Sequence, residues 1–145
     1  MKSWISSILF TLLAVSVAVV AYLFSDHYEE QRLNDRVTDD LSVELIEPAV
    51  LIANKNYGGL EEGGDISILE LRQPDCKAVQ VAIEKSEHRS KDLIYPDSDV
   101  WNFLKANELE FSNPKTTYQI NEKGNSIFYA INSKQCILVR DAYFE

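Results

Sequence analysis

The sequence predicts an α+β fold carried on an N-terminal transmembrane helix, and three observations lead to it. A run of 21 residues from Trp4 to Phe24 carries no charge, two cysteines lie only in the part that follows, and the last third alternates apolar, β-branched and aromatic segments with short turns. Taking away the span leaves residues 26 to 145, enough for one core and too few for two domains. Five glycines, four prolines and 46% hydrophobic residues describe a chain that folds rather than a disordered one.

At about 1.5 Å rise per residue the uncharged run covers roughly 30 Å, the thickness of a hydrocarbon core. Its polar members Ser6, Ser7, Thr11 and Ser16 can return hydrogen bonds to the helix backbone, and Trp4 and Tyr22 stand where amphipathic rings prefer the headgroup level. A cleaved signal peptide is the competing reading, with Lys2 as its positive start and Val19 to Ala21 as its cleavage site. The apolar run continues to Phe24, longer than the roughly 7 to 15 residues of a signal core, so a retained anchor is expected. Lys2 marks the cytoplasmic side and leaves residues 26 to 145 outside. With no N-x-[ST] glycosylation acceptor in the chain, that outside is read as the periplasm of a bacterial inner membrane. The expected divisions are a cytoplasmic stub 1–3, a transmembrane helix 4–24, a juxtamembrane amphipathic helix 25–47 and a periplasmic α+β domain 48–145.

Beyond the span, Leu33, Val37 and Leu41 repeat every four residues among charges, which predicts that the anchor runs on as an amphipathic helix until Pro48. Ala49 to Ala53 and Ile66 to Leu71 read as strands, with a mobile loop from Asn54 to Asp65 carrying two glycine pairs. Pro74 opens a helix with Cys76, Val79 and Ile83 on one stripe, and a polar surface loop follows from Ser86 to Asp92. The stretch from Pro96 to Asp99 then caps a short helix bearing Val100, Trp101, Phe103 and Leu104, which seals one side of a sheet. Three segments, Thr116 to Ile120, Ser126 to Ile131 and Cys136 to Phe144, make a β-meander whose first turn uses Gly124. An antiparallel sheet packed with two helices is the result.

Two cysteines in an oxidising compartment are read as one disulfide, Cys76 to Cys136, tying helix to sheet. Chemistry is otherwise sparse. A net charge of −9 excludes nucleic acid as the direct partner, and residues 26 to 70 alone hold a net −9. Neither His27 nor His88 has a second His or Cys at ligand spacing, so no metal and no cofactor is expected. His27, flanked by Asp26, Glu29 and Glu30, is a candidate pH-sensing residue. The glycine pairs carry Glu61, Glu62 and Asp65 where a phosphate loop would need a Lys, and the order of an EF-hand loop is missing. No nucleophile elbow or Ser, His and Asp set is present, so the chain is read as a non-enzyme. Trp101, Tyr118, Phe128 and Tyr129 line either a core or a groove, and a small amphipathic ligand is a further option if an apolar cavity exists.

Phe10 to Ala14 is similar to part of the type IV pilin signature G-F-T-L-x-E, but the glycine position is Leu9 and no acid follows. That likeness implies a minor-pilin or secretion-assembly role. In plan, with a stub ending at Ser3, one anchor from Trp4 to Phe24 and an outer α+β domain holding Cys76 and Cys136, the chain resembles the small bitopic co-regulators of the TcpH, ToxS and PsaF type. These accompany membrane-bound winged-helix transcription activators. The resemblance implies an accessory protein that binds and stabilises or regulates a bitopic partner controlling virulence or fimbrial genes. The remaining alternative is an exported soluble periplasmic binding protein.

Overall fold

The computed structural model describes residues 2–58, 63–89, 98–109, 117–122 and 124–144, and their side chains except at 2–7, 9, 26, 98–101 and 122. The elements in chain order are α1 (Lys2–Leu41), β1 (Val50–Gly58), β2 (Gly63–Glu70), α2 (Gln73–Lys85), α3 (Ser98–Ala106), β3 (Thr117–Glu122), β4 (Asn125–Asn132) and β5 (Ile137–Phe144). The expected α+β fold is present, with one antiparallel sheet in the order β1-β2-β5-β4-β3. Sequential pairing of β3, β4 and β5 is the meander. The first hairpin joins it by laying β2 against the last strand.

α1 passes from the apolar span into the sheet without a break. Its stretch Phe10–Leu41 is long and apolar enough to cross a membrane, and its side chains from Phe10 to Ser25 are exposed. Beyond that point Leu33, Val37 and Leu41 are buried, as their spacing predicts, and pack with Leu69, Val79 and Leu138. Each such side chain contributes on the order of 1.5–3 kcal/mol by leaving water. The amphipathic segment ends at Leu41 rather than at the expected residue 47. Ser42 takes a left-handed φ of 51°, and the Val43 N–H returns to the Thr38 carbonyl at 3.2 Å, a Schellman-type close that needs no proline. The loop that follows is held by Asp75, whose buried carboxylate accepts the N–H groups of Ile46 at 2.8 Å and Glu47 at 3.2 Å.

The direction in which α1 crosses the sheet follows from its contacts. Asn54, Ser67, Arg140, Tyr129 and Tyr118 are successive partners across the five strands, one row perpendicular to them. Glu29 meets Asn54 at one end of that row, Asp40 meets Arg140 and Tyr129 further along, and the Asp40 carbonyl accepts from the Tyr118 hydroxyl near the other end. Four strand spacings of about 4.8 Å and the rise from residue 29 to 40 at about 1.5 Å each give similar lengths, so α1 runs crosswise to the strands.

α2 shares this face, with Cys76, Val79 and Ile83 buried as predicted, while α3 covers the opposite face through Leu104 against Ile66, Ile68, Ile137 and Val139. The two predicted helices thus lie on opposite faces, and the docked end of α1 supplies a third. Of the capping stretch Pro96 to Asp99, residues 96 and 97 and the side chains of Ser98 and Asp99 lie outside the described residues, as do the side chains of Val100 and Trp101 and residues 90–92 of the polar loop.

The mobile loop expected from Asn54 to Asp65 is corrected. β1 continues to Gly58 and β2 starts at Gly63, and only 59–62 lie outside the described residues. Glycine at 64 serves close packing. A Cβ there would sit 2.5 Å from the Ala142 carbonyl oxygen and 2.6 Å from the Tyr57 ring, whose hydroxyl donates to Asp141 at 2.6 Å. Gly64→Ala is therefore expected to push Tyr57 aside and destabilise the fold by about 1–3 kcal/mol, read by denaturant titration. A loss within error of zero would show that both the Ala142 backbone and the ring have room to move.

Candidate functional site

A charged residue in the middle of an apolar strand must be accounted for. Arg140 shares the strand phase of Leu138, which turns it to the α1 face, where its side chain is 2% exposed. Burying a guanidinium is costly unless it is paired and hydrogen-bonded, and here it is both. Its Nη1 donates to Asp65 at 3.0 Å, and its Nε donates to the Tyr129 hydroxyl at 3.1 Å and lies 3.7 Å from the Asp40 carboxylate. The Tyr129 hydroxyl in turn donates to Asp40 at 2.6 Å, and Arg36 lies 3.7 Å from the second oxygen of Asp65. Two α1 residues, Arg36 and Asp40, are thereby joined to β2, β4 and β5.

The electrostatics hold Tyr129 and Arg140 in fixed protonation states. Burial pushes the Tyr129 phenol above its ordinary value; Arg140 works against that and Asp40 adds to it, so the ring stays a neutral donor. Burial alone would lower Arg140, but Tyr129, Asp65 and Asp40 together outweigh it and raise it, so the guanidinium stays charged. Ser67, opposite Arg140 in the ladder, is fully buried and its hydroxyl finds no partner, a cost the network must offset. The arrangement acts as a clasp between helix and sheet.

A second set of bonds fastens α1 to the outer strand. The Asn34 side chain accepts from the Ala49 N–H at 2.8 Å and donates to its carbonyl at 3.2 Å, copying a strand neighbour. Glu30 accepts from the Leu51 N–H at 3.2 Å and Glu29 from the Asn54 amide at 2.9 Å.

Cys76 and Cys136 are joined by a disulfide with a Cα–Cα separation of 5.3 Å, linking the first turn of α2 to the entry of β5 as expected. His27 is exposed on α1; its neighbours Glu29 and Glu30 are turned to β1, and the Asp26 side chain lies outside the described residues. Tyr118, Phe128 and Tyr129 are buried, with Tyr129 in the core and Tyr118 in the core at the edge of a cleft, and Trp101 lies outside the described side chains. A cleft between the ends of α1 and α2 is lined by Asp40, Leu41, Lys85, Glu87, His88 and Tyr118; it is open and of mixed polarity. Among the described residues no group of three or more His, Cys, Asp or Glu side chains stands together to hold a metal.

Sequence reading passed over Arg140, Asp40 and Asp65. Arg140 carried a usable signal, since alternation from Leu138 through Ala142 puts it on the buried side. Comparison with family models, with curated proteins and with solved structures finds no match.

Proposed function

We propose that the chain is a single-pass membrane protein whose outer domain works by binding another membrane protein, stabilising or regulating it. The observation that carries this reading is the continuity of α1. A tethered enzyme needs only a flexible linker, whereas here the span enters the core as one helix, fastened by the Arg140 clasp and by Glu29, Glu30 and Asn34. The domain is held at a fixed height and orientation above the bilayer, as lateral recognition of a neighbouring membrane protein requires. Lys2, the charge ahead of the span, supports a cytoplasmic N-terminus, and the buried disulfide suits an oxidising outer compartment, the periplasm of a bacterial inner membrane. By the likeness in plan, the first partner to test is a bitopic transcription regulator of virulence or fimbrial genes.

The test is photo-crosslinking in the native membrane from Asp35 and Asp39, both exposed on α1, with the captured partner and the mass of the captured chain both determined. The expected result is a bitopic regulator joined to a chain that keeps residues 1–24. Pilin subunits in its place would move the reading to an assembly component. A chain cut near Ala21 would make it an exported soluble protein, and self-contacts alone together with measurable hydrolytic turnover would overturn a binding role.

A further inference from the structure

We infer that β1, the edge strand nearest the span, rests on the lipid headgroup layer of the bilayer that α1 spans, with Val50 and Ile52 reaching into it. The inference builds on the single-pass reading above and adds a surface to it.

The geometry comes from the way α1 crosses the sheet. Because the helix runs along the row from Asn54 to Tyr118, the strands lie across its axis and stack away from the membrane in the order of the sheet, β1 first and β3 last. Glu29, which bonds Asn54 of β1, stands about 8 Å beyond Phe24 along the helix. The headgroup layer on each side of a bilayer is roughly 5–8 Å deep, so β1 lies at its level. β3, four strand spacings on, lies about 19 Å further out.

The side chains at this level suit that position. Val50 is 51% exposed and Ile52 47%, and Ile52 has no Cα partner in β2 because the register shifts between Leu51 and Ala53. Lys55, exposed on the same strand, offers a positive charge to lipid phosphates. Two of the acids between the span and β1 are already engaged, Glu29 by Asn54 and Arg32 and Glu30 by the Leu51 N–H. A strand from another protein fits this edge poorly. The bulge breaks its repeat, and Asn34 and Glu30 already take the backbone groups of Ala49 and Leu51.

The test uses the unsubstituted full chain in lipid nanodiscs, with nitroxide attached either to the lipid headgroups or to the acyl chains, and reads paramagnetic broadening of backbone amides. Headgroup nitroxide should relax the amides of Val50 and Ile52 at least about threefold more than those of Gln119 and Asn121 on β3, which lie some 19 Å further away. Acyl-chain nitroxide should broaden Val17, which establishes the span independently. Broadening of Val17 with equal effects on β1 and β3 overturns the docking of β1 and leaves the single-pass reading standing. No broadening of Val17 overturns both. β1 amides that escape the headgroup nitroxide while exchanging slowly with solvent would mean that protein covers this edge, and would also overturn the inference.

Discussion

Arg140→Ala is expected to destabilise the sheet domain by about 3–5 kcal/mol, the usual result of leaving buried charges without their partner. The variant strips Asp65 of its 3.0 Å donor and Asp40 of its cation, and leaves Tyr129 with one fewer partner. Chemical denaturation of the purified chain in detergent measures the loss. Double-mutant cycles divide it, and coupling to Asp65 should exceed coupling to Asp40, whose carboxylate lies 3.7 Å away. Converting Arg140→Met together with Asp40→Asn and Asp65→Asn should recover much of the loss, because no charge is then buried alone. A single-variant loss below about 1 kcal/mol would mean that water reaches the network and that the clasp does not hold α1.

The same network sets an alkaline limit. Tyr129 titrates above its ordinary value of 10.0 in the folded chain, so folding favours its protonated form. A raised value stabilises fully below the unfolded value, and that contribution is lost as pH rises from there toward the folded value. Stability should therefore fall above about pH 10, and Tyr129→Phe, less stable at neutral pH for want of the donor to Asp40, should show a shallower decline. Arg140, also raised, acts in the same direction at still higher pH.

Much of this fold is legible because its signals are local. The spacing of Leu33, Val37 and Leu41 gives the docked stripe of α1, Cys76, Val79 and Ile83 give that of α2, and the meander follows from strand composition and the turn at Gly124, which takes a φ of 87°. The misreadings have non-local causes. Asn54 to Gly58 reads as loop by composition, yet the ladder with β2 and the Tyr57 ring over Gly64 make it strand. The end of α1 at Leu41 depends on a backbone turn and on Asp75, which is distant in sequence. The candidate site was the least legible part. Asp40 and Arg36 look like surface charges on the flank of an amphipathic helix, and only the crossing of α1 over β5 shows that Arg140 waits beneath them.

Removing the disulfide is expected to cost about as much as removing Arg140. Closing a loop of sequence separation 60 corresponds to about 4 kcal/mol in the chain-entropy account, so Cys136→Ser should lower stability by roughly that amount. Cys136 also takes a left-handed φ of 55°, which a serine would inherit and a glycine would adopt freely. Cys136→Gly should thus be less damaging than Cys136→Ser by about 1 kcal/mol, although both lose the bridge. Both cysteines are bridged and buried, so alkylation of the oxidised chain should trap no thiol even in denaturant, and reductant should act quickly only in denaturant. Ready alkylation without reductant would mean that no bridge exists. Cys136 leads into the strand that carries Arg140, and its carbonyl accepts the Leu71 N–H at 2.8 Å, so bridge and clasp hold the two ends of β2 and β5 to different helices. The two losses should then add, to about 7–9 kcal/mol, which is comparable to the whole net stability of a domain of this size. The double variant Cys136→Ser with Arg140→Ala should fail to fold, while each single variant retains a cooperative transition.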